Sequence, residues 1–132
     1  MTDPAALTYR GRAVAERLMV DVCEVRRTDP DASPVTNPDG TVSRPSTIVY
    51  SGRCKVQSSR PWPSRPDAGE HSWTVLPLEV HFPVTADVRT GDVVTVTSSF
   101  DPLNVGRVFR VTSGDRKTFQ TAYRPRVEEV TG

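Results

Sequence analysis

The stretch from Leu76 to Val130 limits this chain more than any other. It reads L-P-L-E-V-H-F-P-V, T-G-D-V-V-T-V-T, V-G-R-V-F-R-V-T-S-G-D and T-F-Q-T-A-Y-R-P-R-V-E-E-V, four β-rich runs separated by turn formers. In the first, Leu76, Leu78, Val80 and Phe82 occupy every second position, with Pro77, Glu79 and His81 between them. That alternation is the signature of a half-buried strand. Val94 and Val96 alternate with threonines, Phe109 and Val111 flank Arg110, and Phe119, Thr121 and Tyr123 share one face. Gly91-Asp92 and Gly114-Asp115 punctuate the runs. Four consecutive strands predict an antiparallel meander. Its apolar face must be buried by closure or by a partner sheet. The fold class expected is all-β, a small antiparallel barrel.

The N-terminal part supplies the rest. Asp3-Pro4 has the order of an N-cap followed by a first helical residue. Leu7, Val14 and Leu18 then recur at helical spacing, with Arg10, Arg12, Glu16 and Arg17 among them. This predicts one short helix within residues 1–19. Gly11 weakens it by about 1 kcal/mol relative to alanine. The helix either caps an open end of the barrel or docks its apolar side on another subunit, which makes Leu7, Val14 and Leu18 candidate interface residues. A sharp turn near Met19 leads into a strand, V-D-V-C-E-V-R-R.

Residues 20–130 are then the barrel, within a single domain over 1–132. Two long loops interrupt it. Thr28 to Gly40 is dense in turn formers and ends in Asp39-Gly40. Ser58 to His71 carries three prolines and Trp62, and loops of that length in small domains are usually functional. Between the loops, Thr47 to Tyr50 is strand-like, Pro45 marks an edge, and Ser51-Gly52 suggests a bulge or tight bend before Arg53 to Gln57.

Composition narrows the function classes. Hydrophobic residues make up 36% of the 132, which implies a thin core and a fold that neighbours could complete. Seventeen basic against sixteen acidic side chains leave a formal charge of +1, so no global field drives the chain onto DNA or membrane. No apolar run is long enough to span a bilayer, and the first residues lack the order of a signal peptide. Cys23 and Cys54 lie in strand-like runs without metal-ligand spacing, which predicts reduced, buried thiols. A disulfide between them requires neighbouring strands.

No constellation for catalysis is legible. His71 and His81 lack H-x-x-x-H or H-E-x-x-H spacing, and both read as solvated surface residues. There is no G-x-S-x-G and no phosphate-binding glycine loop leading into a helix. The expectation is a protein that is not an enzyme, with no catalytic residues, metal or cofactor. A hydrolase with an unrecognised site is the weaker reading. Arg53, Lys55, Arg60 and Arg65 around Trp62, and a second group of Arg107, Arg110, Arg116 and Lys117, permit a monomeric OB-like module binding single-stranded nucleic acid.

A family resemblance adds to this. The ordered segments R-G-R-A-V-A-E-R-L-M, V-Y-S-G-R-C-K-V-Q, L-P-L-E-V-H-F-P-V, V-R-T-G-D-V-V-T-V-T and D-P-x-x-V-G-R-V-F-R-V-T span Arg10 to Val130. They resemble small head–tail module proteins of actinobacterial tailed phages and prophages, similar to the head-closure, or head-to-tail stopper, proteins of long-tailed phages. The resemblance implies a β-barrel subunit made in the host cytoplasm and built into the virion neck. It implies a six- or twelve-fold ring of the chain itself, with the portal and adaptor above and a tail terminator or tail tube below. Packaged double-stranded DNA would lie in the lumen, and no membrane is involved. On that reading the loop from Ser58 to His71 is the channel element, with Arg60, Trp62 and Arg65 its DNA-facing candidates. The loop from Thr28 to Gly40 would meet a neighbouring ring, or the two loops would exchange roles.

Overall fold

The computed structural model describes residues 3–58 and 78–131. Six strands close into an antiparallel barrel: β1 (Asp21–Thr28), β4 (Ser46–Ser58), β5 (Leu78–His81), β6 (Val93–Ser98), β7 (Val108–Ser113) and β8 (Arg126–Glu129). A two-stranded arm, β2 (Val35–Thr36) with β3 (Val42–Ser43), interrupts the β1–β4 connection. One helix, α1 (Pro4–Arg17), precedes the barrel. The all-β barrel with a single N-terminal helix is therefore the fold expected from the sequence.

The order around the barrel is β1-β4-β5-β8-β7-β6, and β6 pairs back onto β1. This corrects the simple meander. β6, β7 and β8 do follow one another, but β5 pairs with β8 rather than β6. The reason lies in residues 83–92. After Phe82 the chain turns, with the Ala86 amide donating to the Pro83 carbonyl at 3.0 Å. It then crosses to β6 and buries Ala86 and Val88 in the core. Arg116 holds this crossing by donating to the Val84 and Ala86 carbonyls.

The fourth sequence run also needs correction. Its strand is Arg126–Glu129, and residues 118–125 are loop with one bridge, Phe82 to Tyr123. Phe119 is exposed whereas Tyr123 is buried, so the three alternating residues do not share a face. Tyr123 is held inward by the paired hydrogen bonds of that bridge.

The inward positions form one core. Cys23 and Val25 of β1, Cys54 of β4, Val80 of β5, Val94 and Val96 of β6, Phe109 and Val111 of β7, and Val127 of β8 pack with Phe82. Tyr50 meets Phe82 edge to face, ring centroids 5.6 Å apart, a geometry that adds to area burial. The bulge in the β1–β4 ladder falls where Val25 pairs with Tyr50 and Arg26 with Ile48, leaving Val49 over. It is not at Ser51-Gly52, as the glycine suggests. Glycine is needed there because a Cβ would lie 3.0 Å from the Tyr50 hydroxyl, which donates to the Arg53 carbonyl.

The segment from Thr28 to Gly40 is likewise not plain loop. Asn37 and Gly40 close the turn that joins β2 to β3. Asp39 accepts from the Thr41 amide and hydroxyl, and those bonds hold its carboxyl below the usual range.

Candidate interaction surfaces

α1 starts where the sequence says it should. The Asp3 carboxylate accepts from the Ala5 amide, and Pro4 stands at the first helical position. No side chain of the helix is buried. At about 100° per residue, Thr8, Gly11, Ala15 and Met19 fall on one face, and that face meets the barrel. A Cβ on Gly11 would stand 2.6 Å from the Thr121 methyl, so only glycine permits this approach. Arg12 donates to the Gln120 carbonyl at 3.1 Å. Met19, just past the helix, is buried.

Leu7, Val14 and Leu18 lie together on the adjoining face, within about 40° of one another. They are 53%, 55% and 56% exposed. The helix therefore lies on the barrel wall through small residues and leaves its large apolar ones in solvent. Ala15, Leu18 and Met19 line a cleft with Lys55, Gln57 and His81 of β4 and β5. His81 does point outward, as expected, but it is buried rather than solvated. Its Nε2 and Glu79 are 3.1 Å apart. Desolvation lowers its pKa from 6.5, aided by Arg124 and Lys55 and opposed by Glu79.

A second apolar feature follows β6. Asp21 is buried, and its Oδ1 accepts from the Ser99 hydroxyl and the Phe100 amide at 2.9 and 3.0 Å. Asp101 then caps a short 3-10 turn, Pro102–Asn104, by accepting from the Leu103 amide. Arg107 closes the loop by donating to Asn104 and forming a two-point pair with Glu129. This framework holds Phe100 and Leu103 outward, 87% and 85% exposed. Phe100 and Leu103 are not among the residues singled out from the sequence. The signal was the D-P turn beside two large apolar residues.

The second basic group does not form one surface. Arg107 pairs with Glu129, Arg110 reaches Glu128, and Arg116 stacks on Tyr123 while clamping residues 84 and 86. Lys117 instead shares a cleft with Arg124, Arg126, Glu79 and Asp115. Arg60, Trp62 and Arg65, the channel-loop candidates, lie outside the described residues.

Two buried polar features serve the fold. Asp92, 1% exposed, accepts a two-point contact from Arg27 at 2.9 and 3.0 Å and a third bond from the Arg89 amide. The T-G-D motif is thus a turn with Gly91 at φ 94° and a carboxylate that ties β6 to β1. Cys23 and Cys54 are free, wholly buried and on paired strands. Their mutual contact and burial raise the Cys23 pKa, so it stays a neutral thiol.

The described residues thus define a closed six-stranded antiparallel barrel carrying one wall-packed helix and rigidly presented apolar groups. Residues 11–128 match the family of unknown function DUF6093, and the chain belongs to that family. No curated protein and no solved structure matches the chain.

Proposed function

We propose that this chain is a structural subunit of a phage neck, a head-to-tail stopper ring that retains packaged DNA and receives the tail. The observation that carries the reading is the apolar surface of the helix and of the Phe100–Leu103 loop. These groups are held in place by hydrogen bonds yet left in solvent. Large apolar residues presented in that way mark contact surfaces, and a ring subunit needs two of them. The sequence resemblance to head-closure proteins points the same way.

The partners on this reading are further copies of the chain, the portal and adaptor side, the tail side, and duplex DNA in the lumen. Chemistry is not part of the role. The loop over residues 58–71 acts sterically and through its charges.

The test is to shorten that loop in the phage genome. Capsids are expected to fill with DNA and then lose it, while the neck still assembles. Arg60→Ser with Arg65→Ser is expected to give a milder leak, and Trp62→Ala tests loop packing. Normal DNA retention by the shortened loop, or a loop directed away from the axis in an assembled neck, refutes the channel assignment. The role then passes to the segment from Thr28 to Gly40.

One observation favours a second reading, a single-strand-binding module: Lys117, Arg124 and Arg126 line one cleft. Against it, the exposed rings of Tyr9, Phe100 and Phe119 lie on the helix and two separate loops, not on one strand face. A monomeric mass with salt-sensitive oligonucleotide affinity would favour that module over the ring.

A further inference from the structure

The helix stripe and the Phe100–Leu103 loop differ in their surroundings. Leu7, Val14 and Leu18 are flanked on the helix by Arg10 and Arg17, neither in an ion pair among the described residues. Asp3, the nearest acid along the stripe, is tied to the Ala5 amide. Phe100 and Leu103 are instead separated by Asp101 and Pro102, so an acid sits at the centre of the loop's apolar tip. One surface is an apolar stripe edged with positive charge. The other is an apolar knob with the Asp101 carboxylate at its centre, one oxygen held by the Leu103 amide and Arg107 nearby.

They also sit on different elements. β1 has β4 on one side and β6 on the other. The helix lies on the β4 and β5 side, where Ala15, Leu18 and Met19 meet Lys55, Gln57 and His81. The knob follows β6, anchored to Asp21 at the start of β1. The two surfaces are therefore different patches of one subunit, and their bases approach each other where Arg17 and Asp21 line one cleft. A self-complementary patch would make a closed two-fold dimer, whereas two different complementary patches add copies head to tail.

We infer that the occupant of the helix stripe is the Phe100–Leu103 knob of a second copy, with Asp101 facing Arg10 and Arg17. The contact is heterologous, each chain giving its knob to one neighbour and its stripe to the other. This inference rests on the ring reading above and names the surfaces that build the ring. The framework of Asp21, Asp101 and Arg107 pre-orders the knob, so little loop entropy is lost on docking.

The experiment uses two full-length variants and sedimentation velocity. Phe100→Ser with Leu103→Ser removes the knob, and Leu7→Ser with Val14→Ser removes the stripe. All four positions are more than half exposed, so both variants are expected to unfold at the wild-type midpoint. Wild type is expected to associate beyond a dimer as concentration rises. Each variant alone is expected to need about thirtyfold more protein for the same association, the loss typical of truncated central anchors. Mixed together, the two variants keep one intact knob and one intact stripe between them. They are expected to form one-to-one dimers that grow no further.

A knobless variant that assembles like wild type overturns the inference, and so does a mixture that fails to pair. Wild type that stays monomeric at every concentration overturns it too. A failed knob or mixing result leaves the DNA-retention test in particles, and with it the neck reading, untouched, whereas a monomeric wild type counts against both. Arg10→Glu with Arg17→Glu is expected to weaken association, since both new carboxylates would face Asp101. Unchanged association of that variant removes the charge pairing from the proposed contact.

Discussion

At the residue scale, two buried groups carry measurable weight. Asp92 is almost fully enclosed and its partner Arg27 is partly so. Removing one member leaves a buried charge or buried donors without partners, and breaking such a pair costs several kcal/mol. Because the Arg27 side chain is 29% exposed, water recovers some of that loss. Asp92→Ala is expected to lower unfolding free energy by about 2–4 kcal/mol, measured by urea denaturation. Arg27→Ala with Asp92→Ala should cost less than the sum of the single changes, since both disrupt one contact. His81 gives a pH dependence. Its folded pKa lies below the unfolded 6.5, so the unfolded chain binds more protons under that value. Its contribution is complete above about pH 6.5 and is lost as pH falls from there through the lowered folded value. His81→Gln is expected to flatten the wild-type fall in urea midpoint over roughly pH 7.5 to 5.5, where histidine titrates. An unchanged slope would exclude His81 as its source. Asp87 and Glu129, whose pKa values are lowered by Arg89 and Arg107, act only at more acid pH.

At the element scale, α1 and the barrel are separable in energy. The helix buries none of its side chains and is attached through the Gly11 approach to Thr121 and the Arg12 bond to Gln120. Deleting residues 1–17 while keeping Met19, which is buried, should leave a barrel that unfolds cooperatively. A stability loss of about 1–3 kcal/mol is expected, the scale of a few part-buried contacts, while association is lost. Circular dichroism with urea titration reads the first effect and sedimentation the second. A truncated chain with no cooperative transition would show that the helix belongs to the core. Gly11→Val should act differently, pushing the helix off Thr121 without removing its exposed stripe.

At the scale of the whole molecule, closure is what stabilises a thin core. β6 pairs with both β1 and β7, so no edge remains at that seam. The β5–β8 joint is short, two residue pairs supplemented by the Phe82–Tyr123 bridge. The loop over residues 58–71 falls between β4 and β5, which pair through Ser58 and Leu78 regardless of its length. Shortening it is therefore expected to shift unfolding free energy by less than about 1 kcal/mol, since closure entropy varies slowly with loop length. A large loss in urea denaturation would mean that the loop packs on the barrel, and its role would need another account.

The sequence by itself determined the local structure. Asp3-Pro4 set the helix start, alternation placed Val94, Val96, Phe109 and Val111 inside, and Gly91-Asp92 set a turn, because each depends on neighbours along the chain. Tertiary structure decided what depends on distant partners. β5 joins β8 because residues 83–92 cross between strands under the hold of Arg116. His81 is buried although it points outward, in a cleft that also holds Leu18, Met19 and Arg124 from elsewhere in the chain. Arg107, Arg110 and Arg116 leave the basic group because acids and carbonyls far along the chain claim them. Phe100 and Leu103 stand exposed because Asp21, some eighty residues earlier in the order of the chain, fixes their loop. Local backbone preference and period are written in consecutive residues. Which faces meet, and which charges cancel, is set only when the barrel closes.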